Sequence, residues 1–358
     1  MSLYRRHLPQ LDPATLFLTD GGLETTLIYH EGRTLPAFAA FPLLDTPDGV
    51  RSLRGYYERY LDLAARHDTG FILESPTWRA NADWGAQVGY GPEALAAVNR
   101  RAIAELETLR RAAAERLTGP VVVSGCIGPR GDGYVAERQM SIADAEAYHA
   151  VQIGTFADTS ADMVTAMTMN YTEEAIGIAQ AARRVGLPCA IAFTVETDGR
   201  LPSGEPLRAA LERVDAVTGA YPAYYLLNCA HPAHFAPVLQ ALGPVARRLQ
   251  GLRVNASHRS HAELDAATEL DAGDPEALAW AHVSLLVDLP RLNVLGGCCG
   301  TDHRHIDAIA GTCRALFRHG PPAKSARRST WVAGAAMVSL AGLAGTLLAR
   351  ALERAPWA

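Results

Sequence analysis

The stretch Leu292-Asn293-Val294-Leu295-Gly296-Gly297-Cys298-Cys299-Gly300-Thr301 begins as an apolar run too short for a helix and ends in glycines around two adjacent thiols. A short apolar run bounded by turn residues reads as a buried strand. Working back from Leu292–Gly296, seven further runs share this character: Leu16–Thr19, Gly70–Glu74, Pro120–Gly125, Asp162–Thr168, Cys189–Thr194, Ala223–Asn228 and Leu252–Ala256. Helical spacing lies between them, as in Val50, Leu53, Tyr57, Leu61 and Ala64, or in Ile306, Ile309, Ala310, Cys313 and Leu316. Strands that are apolar throughout need cover on both faces. Parallel sheets obtain it from crossover helices, and eight such units close a barrel. The expected fold class is α/β, a (β/α)8 TIM barrel with a C-terminal apolar helix. A doubly wound sheet is the rival, but no G-x-G-x-x-G follows the first run.

The connections are unequal. Those after the first, third and seventh runs are long (Gly21–Thr46, Cys126–Met140, Ser257–Gly273), whereas Arg66–Gly70 and Gly186–Pro188 after helices are short. The long loops share the rim at the C-terminal ends of the strands, where barrel active sites sit. The barrel domain is expected over 1–319. After Gly320-Pro321-Pro322, a basic linker over 320–330 carries Lys324, Arg327 and Arg328. It leads into Trp331–Ala349, which has no charged residue and is long enough to span a bilayer. Two readings stay open for 331–349: an Ala-rich amphipathic or buried helix, or a membrane anchor.

With Lys+Arg 33, Asp+Glu 38 and a net charge of −5 over 358 residues, the chain lacks the electrostatic footprint of nucleic-acid binding. Its one lysine, Lys324, excludes Schiff-base chemistry in the barrel. Six cysteines in so long a chain do not form a disulfide framework, and Met1–Gln10 lacks the apolar core of a signal peptide. A reducing cytoplasmic setting is expected, with tethering through the C-terminus as the open alternative. Oligomeric state is left open. Vicinal bridges are rare, so Cys298 and Cys299 are expected as working thiolates.

Cys229 ends the sixth run, and the three sulfurs of Cys229, Cys298 and Cys299 can converge on one rim. Three Cys ligands with one open position describe a catalytic zinc, and soft thiolates select Zn2+ over Mg2+ or Ca2+. His231 and His234 offer a competing Cys-x-His-x2-His set, although Pro232 between them suits a helix start and would aim both rings outward. Cys126, Cys189 and Cys313 read as small buried hydrophobes.

The sequence resembles the homocysteine S-methyltransferase family over about Thr15 to Leu316. The resemblance rests on several motifs: Asp20-Gly21-Gly22-Leu23-Glu24-Thr25; Glu74-Ser75-Pro76-Thr77 with Ala80-Asn81; Gly128-Pro129-Arg130-Gly131; Asn228-Cys229; and Gly296-Gly297-Cys298-Cys299-Gly300-Thr301. It implies a (β/α)8 barrel, zinc on Cys229, Cys298 and Cys299, and methyl transfer to the thiol of homocysteine to give methionine. It also implies that Asp20 holds the substrate ammonium, with Glu24 on the same loop able to serve instead. Glu74 and Thr168 complete the expected substrate-binding set, Glu74 pointing into the pocket or else pairing with Arg79 on the rim. Thr301 and Asp302 are expected to cap the last helix.

This chain departs from the family in two places. Met167-Thr168 stands where relatives carry Glu-Thr, so a second carboxylate near the substrate amine is missing. Arg79 replaces the tyrosine of the betaine-using branch, which favours a sulfonium donor such as S-methylmethionine or S-adenosylmethionine. Trp78, Trp84 and Tyr134 are candidates to face that cation. The alternatives are a methyltransferase for another thiol or selenol, or a non-catalytic zinc- or thiol-binding barrel.

Overall fold

The computed structural model describes residues 2–318, apart from 137 and 287. The expected linker 320–330 and helix 331–349 lie outside the described residues. Met1–Arg314 forms one compact unit. No helix among the described residues is long and apolar enough to cross a membrane.

Eight strands form a closed barrel in sequence order: β1 Phe17–Leu18, β2 Gly70–Glu74, β3 Val121–Ile127, β4 Met163–Met169, β5 Cys189–Phe193, β6 Tyr224–Asn228, β7 Leu249–Val254 and β8 Val294–Gly297. All pairings are parallel, and β1 closes the ring by pairing Phe17 with both Gly70 and Val294. Gly70 is required there, because a Cβ would run into the Phe17 ring. Helices α1 Pro47–His67, α2 Pro92–Ala113, α3 Ile142–Ala157, α4 Thr172–Arg184, α5 Leu207–Thr218, α6 Pro232–Leu239, α7 Pro275–Leu285 and α8 His303–Arg318 follow the strands in turn.

The strands are buried along their whole lengths, which is why they read as unbroken apolar runs. Their period of two still decides what fills the barrel. Ile72, Val122, Met163, Tyr224, Leu226 and Val294 pack together inside it. Two residues further along, the same faces carry Glu74, Ser124, Thr165 and Asn228, so the filling turns polar toward the C-terminal mouth. β7 begins at Leu249 rather than Leu252. Gln250 and Gly251 broke the apolar pattern, yet Gln250 is buried and donates to Asn293 Oδ1 at 2.9 Å.

α1 ties the site to its scaffold. Thr46 caps it by accepting from the Gly49 amide at 3.0 Å, Pro47 opens it, and Asp68 closes it in the left-handed region at φ 54°. Its buried face presents Tyr56 and Tyr57. Tyr56 donates to Asp20 Oδ2 and lies equally close to the Gly21 carbonyl, both at 3.0 Å, while Tyr57 donates to the Glu74 carbonyl at 2.8 Å. The ends of β1 and β2 are thereby fixed by one helix.

Candidate active site

Cys229 follows β6, and Cys298 and Cys299 follow β8, with β7 between them. Cys229 turns the chain through φ 53°, and its carbonyl accepts from Asn255 Nδ2 at 3.0 Å and His261 Nε2 at 2.6 Å. On the other side, a Cβ at Gly296 or Gly297 would run into the hydroxyl of Thr19 or Thr301. Those glycines let β8 approach its neighbours closely. The three sulfurs consequently lie within 4.8 Å of one another.

Cys229 and Cys298 are paired as a disulfide with their Cα atoms 5.4 Å apart, and Cys299 is free. This corrects the expectation of three thiolates. Two strand ends that bring sulfurs together allow them to pair directly or, once reduced, to share a metal ion. The donor set fits zinc: tetrahedral ligation at about 2.3 Å sets sulfurs about 3.8 Å apart, within the spread found here. Burial pushes the Cys299 thiol up to about 11, so a cluster of thiolates here needs a neighbouring cation. Cys126, Cys189 and Cys313 are free and buried, as expected.

The sulfurs border a cavity whose wall also holds Asp20, Glu24, Glu74, Met167, Thr168, Asn228 and Arg253. All four residues expected to bind substrate are therefore in one wall, in different states. Asp20 is engaged: Arg253 Nη2 donates to its Oδ1 at 2.5 Å, beside the Tyr56 contact. Burial raises its carboxyl, and Arg253 and Tyr56 pull it back. Glu74 accepts from Thr165 at 2.8 Å through Oε1, while its buried Oε2 has no partner. It does not pair with Arg79 among the described residues. Glu24, half-buried, makes no ion pair and no side-chain hydrogen bond to another residue among them, its own amide lying beside its carboxylate. Burial raises both glutamates to about 7, against the pull of its own amide on Glu24 and of Arg253 on Glu74. Thr168, at φ 63°, is clamped: Asn228 Oδ1 accepts its amide at 3.0 Å and Asn228 Nδ2 donates to its hydroxyl at 2.8 Å.

Sequence reasoning missed Arg253, although a charged residue inside the apolar run Leu252–Ala256 was the available signal. Buried, it also donates through Nε to the Gly297 carbonyl at 3.2 Å, joining the ends of β1, β7 and β8. Two of the three aromatic candidates need correcting, while Tyr134 lines the cavity. Trp78 and Trp84 already face a cation, the guanidinium of Arg79, at 4.2 and 3.4 Å from their ring centres. Tyr134 stacks on His261 at 4.2 Å. Neither His231 nor His234 joins the sulfurs, and both are buried rather than turned outward. His231 caps α6 by accepting from the Ala233 amide and lies 3.5 Å from the His258 ring, and His234 donates to the His258 carbonyl. Asp302 accepts from the Arg304 amide at 2.9 Å and caps α8, as expected.

Residues 17–313 match the homocysteine S-methyltransferase family. The chain belongs to that family. It is a methyl-transferring enzyme, built on the expected barrel. Among solved structures it is similar to the homocysteine methyltransferase MmuM from Escherichia coli. The metallated form aligns with a TM-score of 0.64 at 20% identity over 83% of this chain and 96% of that one. The oxidized form gives 0.65 at 21% over the same shares, and the apo form 0.59 at 19% over 84% and 96%. At these identities the likeness speaks for the fold. No curated protein matches the chain.

Proposed function

We propose that this enzyme moves a methyl group from a sulfonium donor, S-methylmethionine or S-adenosylmethionine, to the thiol of homocysteine, giving methionine, with zinc held by Cys229, Cys298 and Cys299. The observation that carries the reading is the convergence of these three sulfurs in the wall of a cavity that also holds Glu24 and Glu74. Zinc, when bound, supplies the ionisation of an alkyl thiol whose ordinary pKa is about 8.5. As the new sulfur–carbon bond forms, the donor's carbon–sulfonium bond breaks and its electron pair stays on the departing, now neutral, thioether. No side chain acts as nucleophile. The protein's contribution is alignment and charge.

Glu24 takes the substrate ammonium, because its carboxylate lies in the cavity wall and makes no ion pair among the described residues. The free Oε2 of Glu74 offers a second acceptor. Asp20, held by Arg253 and Tyr56, keeps lone pairs for the same ammonium. Thr168, immobilised by Asn228, shapes the wall beside Met167. The apolar Met167 favours a second reading, in which the acceptor is another thiol or a selenol. The barrel domain 1–319 carries the whole reaction in either case.

Reduced, zinc-loaded protein given homocysteine and S-methylmethionine is expected to form two methionines per donor consumed. With S-adenosylmethionine it is expected to form one methionine and the demethylated donor. No methionine from either donor, with zinc bound, contradicts the reading.

A further inference from the structure

Arg79 follows Trp78, which lines the cavity, and keeps 9% of its surface exposed. Indole rings lie 4.2 and 3.4 Å from its Cζ, so the edge of the guanidinium is left for hydrogen bonding. Its Nε and Nη1 are buried without a hydrogen-bond partner, and so is the Nε1 of the stacked Trp84. Buried donors are nearly always paired, so three orphans around one guanidinium need an acceptor. No ion pair to Arg79 occurs among the described residues. The groups facing it are Asp132, Tyr134 and Glu24. Asp132 Oδ1 is occupied by the amides of Tyr134 and Val135, at 2.7 and 3.1 Å. Burial lowers Arg79 to about 10, which leaves it a cation at neutral pH.

We propose that Arg79 is a recognition site for the carboxylate of an amino-acid substrate, presented edge-on by Trp78 and Trp84. A planar, stacked guanidinium with a free edge matches a carboxylate in bidentate geometry. Glu24, in the wall of the cavity that Trp78 borders and among the groups facing Arg79, likewise makes no ion pair among the described residues. The two complement the ammonium and carboxylate of one zwitterion. The proposal rests on the methyl-transfer reading, since homocysteine and both candidate donors carry that zwitterion. It also makes a bare cationic donor a poor fit, because the aromatic faces are filled by a positive charge.

The test is a tryptophan-fluorescence titration of reduced, zinc-loaded protein, comparing wild type, Arg79→Gln and Arg79→Lys. The ligands are homocysteine, methionine and S-methylmethionine, paired with 3-mercaptopropylamine, 3-(methylthio)propylamine and (3-aminopropyl)dimethylsulfonium, which lack only the carboxylate. In Arg79→Gln the Kd of at least one carboxylate ligand is expected to rise about ten-fold or more, while its carboxylate-free counterpart binds as to wild type. Arg79→Lys retains charge without the fork and recovers only part of the loss. A shift confined to homocysteine assigns the site to the acceptor, and one confined to S-methylmethionine assigns it to the donor. Unchanged binding of every carboxylate ligand overturns the proposal, as does equal weakening within each pair, or wild-type protein that binds no amino acid. Wild-type protein that binds with this pattern yet transfers no methyl group leaves the proposal standing and sinks the proposed function.

Discussion

Both mouths of the barrel leave buried polar atoms unpaired, Gln10 Oε1 at one and Glu74 Oε2 at the other, but they differ in how they treat buried charge. At the N-terminal mouth, Asn293 Nδ2 donates to the carbonyls of Gln10, Asp12 and Thr15 at 2.8–3.0 Å, and its Oδ1 accepts from Gln250. The segment around Gln10 is thereby tied across the strand ends. At the C-terminal mouth, Glu74 Oε2, Arg79 Nε and Nη1, and Asn255 Oδ1 are buried without partners. Backbone strain is distributed in the same way. The left-handed residues Asp68 and Ala220 sit in turns after helices, where such geometry is common. Thr168 and Cys229 sit at strand ends beside the cavity. The comparison teaches that one end is built to hold the barrel shut and the other keeps unmet charge and strain for ligands.

The largest expected difference comes from the sulfurs. Cys298→Ser should lose zinc and lower methyl transfer by about 100-fold or more, while the barrel stays folded by circular dichroism. Metal analysis beside an activity assay checks this. At the opposite mouth, Asn293→Ala removes two amide protons shared among three carbonyls and the acceptor of Gln250, and should destabilise by about 3 kcal/mol in denaturant, with kcat/KM within about two-fold of wild type. If Asn293→Ala abolishes activity without destabilising, the comparison breaks.

Glu74→Gln sharpens it. Burial raises Glu74 from 4.5 to about 7, so between those values the native state holds a proton that the unfolded state has released. The associated stability is present below about pH 4.5 and lost as pH climbs through about 7. Above pH 8, metal-free Glu74→Gln should exceed wild type by about 3 kcal/mol, and at pH 4 the two should match. Equal slopes would place the missing partner elsewhere. Smallest is Asn228→Ala, which frees Thr168 and should cost about ten-fold in kcat/KM, with about 1 kcal/mol of stability.

Much of this was legible in the sequence. Unbroken apolar runs located the strands, loop lengths identified the working mouth, and the glycines around Cys298 and Cys299 marked a place where ordinary side chains do not fit. The place of Glu74 at the end of the second run even pointed it at the pocket. What stayed hidden depends on neighbours across the barrel. Periodicity does not say that Arg253, on β7, reaches Asp20 after β1, or that Tyr56 of an apolar helical stripe ends on the same carboxylate. Trp78 and Trp84 look like a cage for a cationic donor until Arg79 is seen between them. The Cys229–Cys298 bond was missed for a related reason: convergence was readable, but the partner that each sulfur takes was not.

The central claim is that three distant sulfurs hold one zinc and leave room for a substrate thiol. X-ray absorption at the zinc edge, on reduced protein loaded with one equivalent and measured before and after homocysteine, tests it most directly. The account predicts three protein sulfurs at about 2.3 Å and a fourth when homocysteine is added. A reduced protein that retains no zinc, or a four-ligand shell indifferent to homocysteine, would contradict it.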